Sequence, residues 1–338
     1  MLTRFFHAWE RRLAAVTTDR VVQPFDWGLD WLPKNGSYPT TDPFGIIAQW
    51  ASGIMADTDR FFNAPPSARF QLDGDVLRFP SAYETPHPKN NTVYARYLPA
   101  ARGRSGKRRA VVVLPQWNAQ PNEHLALSRL IAKAGISALR LSLPYHDQRM
   151  PPELRRADYI VSANVGRTLQ VCRQAVLDTR RAVDWLTAKG YERIGILGTS
   201  LGSCLAMLAA AHDRRIEVAA LNHISPYFAD VVWEGLSTAH VREGLDGSID
   251  LERLRALWLP ISPQPYVERM RGKRVLLVYG RYDLTFPLRL SRQLVHEFRQ
   301  RQVAHEVRVL PCGHYSTGIA PFSWLDGYTL VSFLRKHL

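Results

Sequence analysis

The stretch Arg193-Ile-Gly-Ile-Leu-Gly-Thr-Ser-Leu-Gly-Ser203 decides the reading of this chain. Its first half is a short apolar run, as expected for a strand covered on both faces. Its second half is glycine–x–serine–x–glycine, Gly198 to Gly202, and an apolar helical segment with Leu201, Leu205, Leu208 and Ala209 follows at once. A strand that runs directly into a helix must turn sharply, and Gly198 and Gly202 remove the side chains that would clash at the two ends of the turn. Such a turn lifts Ser200 Oγ above the sheet at a helix N-terminus, where backbone N–H groups favour developing negative charge. A helix-capping serine with glycines chosen for packing is the bland alternative, and the strand–turn–helix context disfavours it. A serine hydroxyl is a weak nucleophile without an adjacent base, so a histidine and an acid are expected elsewhere.

Working outward, strand-like segments lie at 75–80, 92–98, 110–115, 137–143, 193–198, 217–223, 274–280 and 306–310. The central ones are nearly unbroken Val, Ile, Leu and Ala. Helical patterns separate them; the clearest places Leu169, Cys172, Val176, Thr179, Val183 and Leu186 on one stripe and stops at Lys189-Gly190. Strands alternating with helices predict an α/β fold with a doubly wound, mostly parallel sheet of eight strands. Residues 1–65 read as a helical extension and 66–338 as the main domain. The rhythm breaks once, between His223 and Arg274, where an insertion at about 226–270 reads as a small helical lid. In the extension, Leu2, Phe5, Phe6, Trp9, Leu13 and Val16 recur at helical spacing. Docking of that face on the body is expected, with a weak membrane-surface contact as the lesser alternative.

The 338 residues carry 44 Lys and Arg against 30 Asp and Glu, a net charge of +14. The one dense basic run, Arg102-Gly-Arg-Ser-Gly-Lys-Arg-Arg109, sits between two strand segments with no aromatic residue interleaved, so it reads as a solvated loop and disfavours nucleic acid as a partner. Three cysteines, Cys172, Cys204 and Cys312, form no CxxC pair and no disulfide framework. The start of the chain lacks a signal-peptide pattern, and no apolar run approaches a membrane span, so a cytoplasmic location is the default expectation. Neither a metal nor a dinucleotide cofactor is expected: HExxH, clustered cysteine ligands and GxGxxG are all missing. Cys204, one helical turn after Ser200, is read as packing.

Two further strand ends supply the partners for Ser200. Asp283 follows the strand at 274–280 by three residues, and His314 follows the last strand within Pro311-Cys-Gly-His-Tyr315. All three then sit at carboxyl ends of parallel strands, where such sheets place their sites. Asp230 and Asp147 are the rival acids, in that order. With strand, elbow, acid and histidine in this order, the segment from about 90 to 335 resembles the α/β-hydrolase superfamily, with a general likeness to esterases, lipases and dienelactone-hydrolase-like members. That resemblance implies a serine hydrolase cleaving a carboxylic ester through an acyl-enzyme on Ser200, with His314 as base and Asp283 as orienting acid. A thioesterase, amidase or acyltransferase using the same triad is the alternative, and a non-catalytic binding module a weaker one. It also implies an oxyanion hole from the Leu201 N–H and a residue in Leu114-Pro-Gln-Trp-Asn118. Because the family's His-Gly dipeptide is replaced there, Trp117 is the expected donor and Gln116 the runner-up. Gln116, Phe228, Trp233 and Tyr315 are the candidate substrate-binding residues. The aromatic residues of the insertion, Trp258 among them, suggest a small-molecule or lipid ester with an apolar acyl or alcohol group, unless they only attach the insertion to the body.

Overall fold

The sheet is built from the runs named above plus one that the pattern missed. In this computed structural model, which describes residues 1–33, 41–66, 69–101 and 106–338, nine strands form a single sheet. They are β1 (Gln71–Asp73), β2 (Val76–Pro80), β3 (Thr92–Leu98), β4 (Arg109–Leu114), β5 (Ser137–Leu141), β6 (Arg193–Thr199), β7 (Ile216–Asn222), β8 (Arg274–Gly280) and β9 (Glu306–Leu310). The order across the sheet is β1-β2-β3-β5-β4-β6-β7-β8-β9. The expected eight strands thus become nine. β1 escaped notice because its three residues are all exposed, so no apolar alternation marks it. It is held by a two-residue hairpin at Gly74-Asp75, with Gly74 at φ +57°, pairing it with β2.

The pairs β1–β2, β2–β3 and β3–β5 are antiparallel, and every pair from β5 to β9 is parallel. The chain leaves β4 for β5 on one side and returns to β6 on the other. The crevice above the carboxyl ends of β4 and β6 is therefore the switch point, where ligands bind in open sheets of this kind.

Eleven α-helices lie among the described residues: α1 (Leu2–Ala14), α2 (Pro43–Ala56) and α3 (Thr58–Phe61) ahead of β1; α4 (Leu125–Lys133), α5 (Val165–Ala188), α6 (Leu201–His212), α7 (Phe228–Glu234), α8 (Ala239–Leu245), α9 (Leu251–Leu257) and α10 (Leu288–Gln300) between strands; and α11 (Phe322–His337) after β9. Alternating strand residues feed two cores. Val112, Leu139, Ile196, Leu221 and Leu277 pack with α5, α6 and α10, whereas Val111, Val113, Leu197, Ala220 and Val278 pack with α1, α4 and α11. Period-two side-chain direction makes this unavoidable once both faces are covered. The insertion between β7 and β8 carries α7, α8 and α9, and no helix among the described residues is long and apolar enough to cross a membrane.

Trp31, Leu32, Ile47, Phe61 and Phe62 of the N-terminal 65 residues enter the same core as the sheet. Helix α1 buries Phe6, Glu10 and Ala14, while Leu2 and Phe5 of the anticipated apolar face stay exposed. The stripe that docks is thus i, i+4, i+8 through a glutamate, which apolar periodicity cannot find. Of the basic run, residues 102–105 lie outside the described residues; Arg108 lies over the Tyr191 ring, and Arg109 bonds Gly135 O.

Candidate active site

Four adjacent strand ends converge. Ser200 follows β6, His223 follows β7, Asp283 lies three residues beyond β8, and His314 lies in the loop after β9. Ser200 has φ 57° and ψ −121°, a strained backbone that a non-glycine residue adopts only under constraint. The constraint is visible on both sides. A Cβ on Gly198 would lie 2.1 Å from Gly202 O, and one on Gly202 would lie 2.3 Å from Leu114 O and 2.4 Å from Pro115 O. The turn therefore needs both glycines, and it packs directly on the loop that follows β4. Ser203 Oγ lies 2.6 Å from the carbonyl oxygens of both Ser200 and His223 and shares its one proton between them, tying the elbow to the end of β7.

Asp283 is fully enclosed, and its carboxylate is saturated with donors. Oδ1 accepts the backbone N–H groups of Thr285 and Phe286, both at 2.7 Å. Oδ2 meets Nδ1 of His314 at 3.0 Å and Nδ1 of His223 at 2.8 Å. Burial alone would raise the Asp283 pKa, but the charges and hydrogen bonds of His314 and His223 outweigh it and hold the carboxyl below its ordinary range. The rival acids are occupied elsewhere. Asp230 is bound by Arg255 at 2.5 and 3.0 Å within the insertion, and Asp147 pairs with Arg140 at 2.5 Å.

The His314 ring stacks on Phe286, with centroids 5.4 Å apart. Its loop is anchored from the far end of the chain: Glu10 of α1 accepts the Tyr315 and Ser316 N–H groups at 2.8 and 2.9 Å. Gly313 is glycine for the same reason, since a Cβ there would lie 2.2 Å from Glu10 Cδ. Tyr315 Oη binds Arg20 at 2.8 Å and Ser237 at 2.7 Å, so the N-terminal segment, the insertion and the histidine loop meet at one phenol. Ser200 Oγ and His314 make no hydrogen bond to each other, and both side chains are largely covered.

On the β4 side, Trp117 lies flat against His240 of α8, with centroids 5.7 Å and planes 3° apart, and Arg156 sits 5.4 Å from its ring. Its indole N–H donates to Ala157 O, and the Asn118 N–H to His146 Nε2. Gln116 turns outward to Glu123. Phe228 packs edge-on against the wholly buried Trp258, whose indole N–H donates to Val165 O on α5. Trp233 lies under Arg242. The Trp258–Val165 and Trp117–His240 contacts attach the insertion to the body. Cys204 is buried with its thiol on Ile261 O, and burial pushes that thiol up. A cavity of about 580 Å³ opens beside the loop after β4, lined by Asp19, Asn118, Arg140, Asp147 and Arg156 but by neither Ser200 nor His314.

His223, Asp283 and His314 bring three metal-capable donor atoms within 4.8 Å of one another. The two shortest separations, 2.8 and 3.0 Å, are direct hydrogen-bond lengths. Tetrahedral zinc with bonds of about 2.1 Å would hold its ligands about 3.4 Å apart. The cluster thus fits shared protons better than a shared ion.

Residues 81–241 match the family model described as alpha/beta hydrolase domain containing 18. The chain has the α/β-hydrolase fold. Among solved structures, this α/β-hydrolase is similar to an acetyl xylan esterase from Paenibacillus sp. R4, at 17% identity over 94% of this chain and 100% of that one, with a TM-score of 0.60. It is likewise similar to acetyl xylan esterase 1 from Thermoanaerobacterium sp. JW/SL YS485, at 15% identity over 91% and 99% of the two chains, with a TM-score of 0.57. The Pyrococcus horikoshii acylaminoacyl peptidase matches 80% of this chain at 14% identity with a TM-score of 0.61, and the chain spans only 42% of that protein. At such identities the likeness speaks for the fold. A comparison with curated proteins finds no match.

His223 is the residue that sequence reasoning missed. The signal was available, because it ends a parallel strand as Asp283 and His314 do. Glu10 carried no such signal: nothing local says that a glutamate on an amphipathic helix will be buried against a loop some three hundred residues away.

Proposed function

We propose that this α/β-hydrolase is a serine hydrolase acting on carboxylic esters, with Ser200 as nucleophile, His314 as general base and Asp283 as the orienting acid. The observation that carries the reading is the strained Ser200 at the elbow beside a buried Asp283 bonded to His314 Nδ1. Donation from Nδ1 to the carboxylate leaves Nε2 as the basic nitrogen. In the proposed reaction Nε2 takes the Ser200 proton as Oγ attacks the acyl carbon, then returns it to the leaving alcohol. Water repeats the sequence on the acyl-enzyme. The Leu201 N–H, in the first turn of α6 and so without a helical acceptor, is one oxyanion donor. Asn118 N–H is already taken by His146, which favours Trp117 for the second, with Gln116 next.

Labelling by a fluorophosphonate, followed by turnover of matched acyl esters, thioesters and amides, tests the reading. Ester turnover and probe labelling should both vanish in Ser200→Ala. A folded Ser200→Ala protein that keeps its turnover would remove Ser200 from the mechanism. Faster turnover of thioester or amide would move the scissile bond while keeping the triad.

A further inference from the structure

Asp283 serves two histidines, and the second has no part in the reaction just described. The protonation of His223 follows from its partners. Nδ1 faces Asp283 Oδ2 at 2.8 Å and must carry a proton to make that contact favourable. Nε2 lies 3.3 Å from Thr317 Oγ1. That hydroxyl has one proton, and its closest acceptor is Gly313 O at 2.6 Å, a carbonyl that can only accept. With the hydroxyl proton on Gly313, Nε2 faces the oxygen lone pairs and gains only by donating. The Cys312 thiol, 3.2 Å from the same oxygen, accommodates to either arrangement.

We infer that His223 is a positioning residue held as an imidazolium, which fixes the Asp283 carboxylate and shares its charge. This rests on the triad assignment above for its effect on turnover, but not for the protonation state. The groups facing His223 are Asp283 from the loop after β8, His314 and Thr317 from the segment after β9, Asp326 from α11 and Glu10 from α1. Burial would lower the His223 pKa, yet the Asp283 hydrogen bond and charge, with Asp326 and Glu10 behind them, raise it instead. The His314 ring stands 4.8 Å from that of His223, close enough for one charge to oppose another strongly in a buried site. The fully bonded carboxylate also cannot rotate away from His314.

The decisive measurement is nitrogen NMR on the full chain labelled in its histidines, compared with His223→Asn, whose amide keeps a neutral donor towards Asp283. At neutral pH, His223 should show two protonated ring nitrogens. That doubly protonated ring should be missing from the His223→Asn spectrum, which assigns the signal to His223. If the protein turns over esters, kcat should fall in His223→Ala, which leaves Asp283 Oδ2 one donor short, and fall less in His223→Asn, while KM changes little. His223→Gln, which donates from a different position, should restore less of kcat than Asn. A single protonated nitrogen on His223 at neutral pH would overturn the inference whether or not the chain is an esterase. Normal NMR behaviour without turnover would instead count against the triad reading alone.

Discussion

Glu10 ties the N-terminal helix to the loop of His314. Its carboxylate is buried and accepts two backbone N–H groups, from Tyr315 and Ser316. Glu10→Ala leaves both N–H groups without an acceptor at about 1–3 kcal/mol each, so a loss of about 3–4 kcal/mol is expected. With about 2.1 cal/mol/K per residue over 338 residues, the unfolding entropy is about 0.7 kcal/mol/K, and the melting temperature should fall by about 5 °C. Glu10→Gln keeps one acceptor oxygen but turns an NH₂ group towards the other N–H, so it should fall between wild type and alanine. Both variants should lose kcat more than they change KM, since the loop that loses its anchor carries the proposed base rather than a binding surface. Arg12→Ala, on the exposed side of the same helix, is the control and should leave both readouts alone. The measurements are calorimetric melts and steady-state kinetics on the full chain. A Glu10→Ala protein that melts with wild type within error would refute the anchoring, and with it the claim that α1 is part of the site.

The two buried acids of the site region should separate cleanly. Asp283→Asn places an NH₂ group against two imidazole N–H donors and should lower kcat by about 10³–10⁴; Asp230→Asn should cost about 1–3 kcal/mol of stability through Arg255 with little change in kcat, and the reverse ranking in ester turnover would reassign the acid. Acid sensitivity comes from His124, His146, His212 and His240, whose pKa values burial lowers from 6.5 to about 4. Because the unfolded chain takes up these protons first, stability contributed by the neutral rings is lost as pH falls from 6.5 towards 4. Melting temperatures should drop across that window and drop less steeply in His240→Phe; an unchanged slope would mean that His240 is already charged in the folded state.

The sequence alone determined a good deal here. Eight strand runs, the long stripe of α5 and the glycine-flanked turn at Ser200 are properties of a few consecutive residues. Backbone sterics and period-two or period-3.6 burial dictate them locally. The positions of Asp283 and His314 were legible because strand ends in a parallel sheet converge on one edge. Choosing among acids was different: Asp230 and Asp147 also occupy suggestive places, and only the fold shows them bound to Arg255 and Arg140. Helix α1 read as an apolar face, but it docks through Phe6, stacked 4.3 Å from Tyr282, and through Glu10. His223 on Asp283, Glu10 on the Tyr315 N–H and Trp117 against His240 join residues 60, 305 and 123 positions apart. Such contacts arise from where the sheet order and the docked helices bring distant loops together. Their strength comes from the exclusion of water around them, which a one-dimensional pattern does not encode.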